Sequence, residues 1–383
     1  MKIGLIVPEM PPDTIGGGGA VFEALAANLF ERKHDVRVVT SHTYGGPRAD
    51  AFPYPTVRLS EFPHPAPAYR TYMPPYPHEL LRARHLLQDC DVVNAHGHGH
   101  PLVDLVSRLW VPPHKTVYTL HGFLYTIPKR GGPLAKGYAL YDRAFGKRLF
   151  RRSRYLTAVS RAVADVATLR GRPDTMVINN GFDALSFEAD ISPNALMEMQ
   201  KGPYILCVGR LEWLKGFDIV LRSLASLRES GVPLRLLLAG RDNGAERELR
   251  TMAQALKIEQ AVSFLGFIPH ASLAHLYHQA TIFCLSSRTE AFPAAPLEAM
   301  SVGVACVLAR IGGVSDIATD EADSLLFAPE DAGELTDKLQ RVWRDEGLRV
   351  RIARAGTVTS RRFSWQRVAD MYEDLFIKTA RGA

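Results

Sequence analysis

The stretch "TIFCLSSRTEAFPAAPLEAM", Thr281–Met300, carries the pattern on which the fold turns. An apolar run, Thr281–Leu285, stops at two serines, a proline-punctuated turn follows, and Pro296 leads into small helix-forming residues. A short apolar run bounded by turn residues reads as a buried strand, and proline suits a first helical position. Strand, turn and helix in that order form the unit of a parallel sheet with crossover helices.

The same unit recurs in both directions. Upstream in the second half, strands are expected at Tyr204–Val208, Leu234–Ala239 and Val262–Phe264, and downstream at Val304–Leu308, with helices between them. The first half repeats the alternation with strands at Lys2–Val7, Val36–Thr40, Asp91–Ala95, Thr116–Thr119 and Tyr155–Val159, and helical patterns at Ala20–Lys33, His78–Gln88 and Tyr138–Arg152. Nine prolines between Pro47 and Pro77 mark an irregular excursion. Two α/β units therefore follow each other: an N-terminal domain over 1–183, a linker over 184–203, a second domain over 204–363, and a C-terminal helix over 364–383 able to pack back on the first. Ligands of doubly wound sheets collect outside the carboxyl ends of the strands, so the expected site is the cleft between two such units.

A length of 383 residues suits two domains of roughly 150–200 residues each. The longest clean apolar runs, such as Tyr204–Val208 and Val304–Ala309, fall far short of the roughly 20 residues a membrane span needs. Pro8 and Glu9 interrupt the first apolar run before a signal-peptide core can form. Cys90, Cys207, Cys284 and Cys306 are scattered without C-x-x-C spacing, which favours free thiols over disulfides or zinc and points to the cytoplasm. Residues 1–183 carry a net charge of +8 and residues 184–383 a net of −2, so the whole positive surplus belongs to the first half. Most of it lies in Lys129–Arg154, where nine cations face the single acid Asp142.

Several motifs bear chemistry. Gly16–Gly19 precede the first helical pattern, where backbone without Cβ can approach a phosphate or sugar and open amides favour anions; a merely flexible loop is the alternative. The run is not a dinucleotide fingerprint, because the glycines do not follow the strand at once and Val21 stands where another glycine belongs. His121 follows a strand directly and can act as donor, acceptor or proton carrier, or simply sit at the surface. His96, His98 and His100 alternate in a way that could suit a metal, yet no acid follows close by, and they read as polar groups lining the cleft. Arg210 and Lys215, in the turn after Tyr204–Val208, suit a diphosphate whose charge grows as it departs. Glu290 and Glu298 flank the proline turn of the opening stretch. A ligand across that turn could place hydroxyls on both carboxylates and phosphates between them, as a nucleotide sugar would; two acids favourable to a helix dipole are the plainer alternative.

Together these residues resemble the retaining glycosyltransferases of family 4, which have a GT-B fold of two Rossmann-like doubly wound parallel-sheet domains. The resemblance rests on the glycines at Gly16–Gly17, "DVVNAHG" at Asp91–Gly97, "HG" at His121–Gly122, "AVS" at Ala158–Ser160, "NNGFD" at Asn179–Asp183, "VGRL…KG" at Val208–Gly216, the Glu290/Glu298 pair with "EAM", and Gly312–Gly313. It implies that Glu298 holds the nucleotide ribose and Glu290 a hydroxyl of the transferred sugar. Arg210 and Lys215 would neutralise the departing nucleoside diphosphate, and His121 would touch the donor sugar near the reacting carbon. Gly16, Gly17, Gly209, Phe292, Ala294 and Leu297 would line the donor. No metal or other cofactor is expected, because the cations take its place. Ala291 stands where the family usually has glycine, and Ser315 and Asp316 where it often has Pro-Glu.

The implied activity is transfer of a hexose-type sugar from a nucleoside-diphosphate sugar to an acceptor glycan, lipid or small metabolite. If Tyr138–Arg152 is helical, Arg143, Lys147 and Arg151 form a basic stripe, suited to a phosphorylated or lipid-linked acceptor and to an anionic membrane surface at its inner, cytoplasmic face. A solvated basic face is the alternative. Competing functions are a nucleotide-sugar hydrolase or epimerase on the same fold, and a non-catalytic nucleotide-sugar-binding protein. Nucleic acid is not an expected partner, since no aromatic-and-basic module accompanies the charge.

Overall fold

The computed structural model describes residues 1–11, 18–42, 52–61, 74–97, 99–122, 152–169, 171–183 and 193–382. They form two compact units, Met1–Gly181 with Trp365–Ala383, and Phe182–Ser364.

The first unit carries strands β1 (Lys2–Ile6), β2 (Asp35–His42), β3 (Thr56–Ser60), β4 (Val92–His96), β5 (Thr116–Leu120), β6 (Tyr155–Ala158) and β7 (Met176–Val177). They pair in parallel in the order β3-β2-β1-β4-β5-β6-β7. Its helices are α1 (Gly18–Glu31), α2 (Glu79–Leu87), α3 (Pro101–Trp110) and α4 (Arg161–Leu169). The second unit begins with α5 (Pro193–Gln200), inside the stretch expected as linker. Its strands β8 (Tyr204–Val208), β9 (Arg235–Ala239), β10 (Val262–Gly266), β11 (Ile282–Leu285), β12 (Cys306–Ala309) and β13 (Leu325–Phe327) pair in the order β10-β9-β8-β11-β12-β13. The accompanying helices are α6 (Phe217–Glu229), α7 (Glu246–Ala255), α8 (His270–Gln279), α9 (Ala295–Ser301), α10 (Ala332–Arg344) and α11 (Glu346–Ser360). The chain returns to the first unit with α12 (Trp365–Ala380).

Central strands such as β9 and β12 are buried along their whole length, which is why they read as unbroken apolar runs and not as alternating ones. The core of the second unit gathers Leu206, Leu237, Phe283 and Val307 from four neighbouring strands. In the first unit Ile3, Leu5, Val38 and Val92 pack against Phe22 and Leu25 of α1 and Tyr372 and Phe376 of α12. Arg32, just past α1, ties the two helices further, reaching Asp370 at 2.6 Å and Glu373 at 2.8 Å. Where the chain returns, Phe182 donates its amide to the Phe363 carbonyl at 3.0 Å. Gly181 is packed so closely on the Trp365 indole that a Cβ would fall 2.4 Å from it.

All four cysteines are buried free thiols. No helix among the described residues is long and apolar enough to cross a membrane. The helical pattern expected at Tyr138–Arg152 falls almost wholly outside the described residues.

Candidate active site

Each sheet reverses its winding at one place, between β1 and β4 in the first unit and between β8 and β11 in the second. Outside the carboxyl ends of the strands at such a reversal, diverging loops leave a crevice. In the second unit those loops carry Arg210 and Lys215 after β8 and Glu290 after β11.

The two loops are bound together at several points. Ser286 Oγ donates to the Lys215 carbonyl at 2.9 Å, and the Arg288 amide donates to the Leu214 carbonyl at 2.8 Å. The Arg288 guanidinium makes two 2.9 Å bonds to Asp218 and lies over the Trp213 ring, 4.4 Å from its centroid. Gly216 turns the chain from Lys215 into α6 at φ 63°, where a Cβ would sit 2.1 Å from the Ser286 carbonyl oxygen. Only glycine allows that approach. Gly313 presses equally on the other loop, since its Cβ would meet the Glu290 and Ala291 carbonyls at 2.7 and 2.6 Å.

This bracing delivers Lys215 Nζ to Glu290 Oε1 at 2.6 Å. Ser287 Oγ donates to the same oxygen at 2.8 Å, and Oε2 has no partner among the described residues. The aliphatic stem of Lys215 runs over Gly209, 3.5 Å from where its Cβ would be. Arg210 stands apart from this pair. Its guanidinium bonds Glu212 at 3.0 Å and is 44% exposed.

Glu298 lies in the first turn of α9, which starts at Ala295 and has Pro296 second. Its carboxylate is buried and held on both oxygens, by the Tyr277 hydroxyl at 2.8 Å on Oε2 and by His270 Nε2 at 3.2 Å on Oε1. His270 and Tyr277 lie seven positions apart on α8, hence on one face of it. The bond to Glu298 raises the His270 pKa against the opposing effect of burial, and Asp183 adds to the rise. Burial, reinforced by Glu298, pushes the Tyr277 phenol well up. Of the remaining predicted donor contacts, Ala294 is exposed, Phe292 is half-buried against Phe363 at 5.6 Å between centroids, and the Leu297 side chain is in the core. Leu297 can therefore meet a ligand only through its backbone.

In the first unit His121 follows β5 and pairs with His96 at the end of β4, His96 Nδ1 to His121 Nε2 at 3.0 Å. Phe22 of α1 sets its ring edge-on to both imidazoles, with centroids 5.3 and 5.1 Å away. Burial lowers the His121 pKa to about 4, and burial with His121 beside it holds that of His96 well below its ordinary value. His96 and His100 are thus interior groups, 1% and 4% exposed, not open cleft-lining ones, and His98 lies outside the described residues.

The open helix start expected after Gly16–Gly19 is corrected at its described end. Glu9 Oε1 accepts from the Gly19 amide at 3.0 Å, so a carboxylate of the chain itself already caps α1. Gly16 and Gly17 lie outside the described residues, as do Arg143, Lys147 and Arg151. Among the described residues no three His, Cys, Asp or Glu side chains are grouped to hold a metal.

Sequence reading passed over Ser287, Tyr277, His270 and Glu9. The only available signals were a serine three residues before Glu290 and the i, i+7 spacing on α8; nothing local linked α8 to Glu298.

Two family models match the chain in succession. The model described as Glycosyltransferase Family 4 covers residues 15–184, and that described as Glycosyl transferases group 1 covers residues 189–359. A glycogen synthase from Mycobacterium tuberculosis is 28% identical over 410 aligned positions, spanning 100% of this chain and 96% of that protein. Among solved structures, a sucrose-phosphate synthase from Thermosynechococcus elongatus matches with a TM-score of 0.79 at 21% identity over 100% of both chains. The Anabaena protein HepE, solved with UDP and glucose, matches with a TM-score of 0.73 at 19% identity over 99% of this chain and 100% of its own. With two parallel sheets joined in this order and both family models met in succession, the chain belongs to the GT-B glycosyltransferases of the family 4 type.

Proposed function

We propose that the protein is a retaining glycosyltransferase that moves a hexose-type sugar from a nucleoside-diphosphate sugar to an acceptor, without a metal. The observation that carries this reading is the braced Lys215–Glu290 pair at the winding reversal of the second sheet. Lys215 contributes a point charge that a departing diphosphate can take over, and Arg210 a fork free to leave Glu212. Glu290 accepts from a hydroxyl of the transferred sugar through Oε2. Glu298, held rigid by Tyr277 and His270, accepts from the ribose. In the first turn of α9 Pro296 has no N–H and the Glu298 amide already donates to the Ala294 carbonyl at 3.0 Å, so the amides of Ala295 and Leu297 are the ones that suit phosphate oxygens.

The acceptor is proposed to be phosphorylated or lipid-linked and met at the cytoplasmic face of an anionic membrane. The nine cations of Lys129–Arg154 motivate that part. Binding to vesicles containing anionic lipid should fall when Arg143, Lys147 and Arg151 are reversed to glutamate.

A thermal-shift screen of UDP-, GDP- and ADP-sugars should single out one donor, which at 100 times its Kd stabilises the fold by about 2.7 kcal/mol. Proton NMR of the product made from that donor should show the anomeric configuration of the donor kept. No stabilising nucleotide sugar, or an inverted product, would overturn the proposal.

A further inference from the structure

The His96–His121 contact can be made in two ways when both rings are neutral. Either His96 donates from Nδ1 to Nε2 of His121, or His121 donates from Nε2 to Nδ1 of His96. His96 Nε2 decides between them, because it is buried and has no hydrogen-bond partner among the described residues. In the first arrangement that nitrogen is a bare acceptor, and in the second it is an N–H with nothing to receive it. Buried N–H groups left without acceptors are rarer than unsatisfied acceptors. Around His96, Phe22 offers only the weak acceptor of a π face, with centroids 5.3 Å apart, and the Tyr372 hydroxyl is already engaged with Thr119 and Thr157.

We propose that His96 is a positioning residue that fixes His121 in its Nδ1–H tautomer, so that His121 offers a ligand a neutral hydrogen-bond donor and not a base. With Nε2 accepting from His96, the Nδ1–H is the only polar group the His121 ring has left. Burial, which keeps both rings neutral near pH 7, supports the assignment. The consequence for catalysis rests on the contact between His121 and the donor sugar that the family resemblance implies: the imidazole then steadies a sugar oxygen by donating to it and takes no proton.

The tautomer can be read in the full chain without ligand, by long-range nitrogen–proton correlation spectra on isotope-labelled histidine, with His121→Gln and His96→Asn used to assign the two rings. The expected result near neutral pH is a pyrrole-type Nδ1 and a pyridine-type Nε2 on His121, with a pyrrole-type Nδ1 on His96. The reverse pattern on His121 would overturn the proposal. His96→Asn, whose side-chain amide can donate from nearly the place of Nδ1, should keep the His121 pattern, and His96→Leu should leave its two nitrogens averaged between tautomers. An unchanged His121 pattern in a folded His96→Leu protein would also overturn it; should that variant not fold, the wild-type spectrum decides alone. In turnover, His96→Leu should lower kcat/KM for the sugar donor by about tenfold, the worth of one such bond, without altering affinity for the free nucleoside diphosphate. The expected tautomer in a chain that binds no nucleotide sugar would sink the functional proposal and leave the His96 assignment standing.

Discussion

Glu290 and Lys215 stand 75 positions apart in sequence and share one 2.6 Å contact. Their worth to the fold and to the chemistry can be separated by Glu290→Gln, which keeps the shape and the Ser287 contact but removes the charge. Lys215 is 21% exposed at its side chain, so water can take over part of the lost partner's work. The variant should melt no more than about 4 °C lower, equivalent to about 1 kcal/mol in a unit of this size. Its kcat should fall by about 10²–10³-fold, the scale of losing one preorganised polar group from a reacting centre. Steady-state rates beside a melting curve check both, and an unchanged kcat would remove Glu290 from the chemistry. At this scale the sequence placed Arg210, Lys215 and Glu290 in loops just beyond apolar strands, and the structure has them there. It hid their partners: Tyr277 and His270 reach Glu298 only through tertiary packing of α8 beside α9, and Arg210 is held by Glu212 within its own loop.

Among the elements, the turn between β8 and α6 is the one on which the pair depends. Gly216 sits at positive φ with the Ser286 carbonyl where a Cβ would go. Gly216→Ala must therefore either strain the backbone or push the β11 loop away from Lys215. Both costs act at once, so the loss of stability should be at least about 2 kcal/mol, with activity falling further as Glu290 is displaced. Chemical denaturation and the residual transfer rate measure the two effects, and a variant as stable as the wild type would show that the loops are not braced as described. Strands buried on both faces, such as β8, β9 and β11, were legible because nothing polar interrupts them. β3 was not, since its five residues lie within the proline-rich excursion, nor was β13, whose three residues are too few for a period to register. α5 was hidden in a stretch whose helical character depends on packing; its Glu198 receives Arg235 from β9 at 2.6 Å.

Across the whole molecule four histidines, His96, His100, His121 and His270, divide by unit. In the first, burial lowers His100 to about 3, His121 to about 4, and His96 well below its ordinary value of 6.5. An unfolded chain takes up protons below about pH 6.5 while these three rings do not, so their contribution is complete above that pH and is lost as pH falls toward their folded values. Each adds up to about 1.4 kcal/mol per pH unit to that slope. His270 in the second unit runs the other way. Its raised pKa contributes stability that is present below about 6.5 and lost as pH rises through the folded value. Between about pH 6.5 and 4.5, before most carboxylates titrate, the first unit should weaken selectively. Hydrogen exchange followed strand by strand should show β4 and β5 losing protection ahead of β8 and β9. Equal loss in both units would contradict the burial assigned to the three imidazoles.

The proposed activity requires a nucleotide sugar bound at the β8 and β11 loops, with Lys215 taking up its diphosphate charge. Titration calorimetry of UDP-, GDP- and ADP-sugars into the full chain and into Lys215→Met tests this most directly. One donor should bind the wild type and bind the variant at least about tenfold more weakly, a loss of about 1.4 kcal/mol. Equal affinity in both proteins, or no binding of any donor by the wild type, would contradict it.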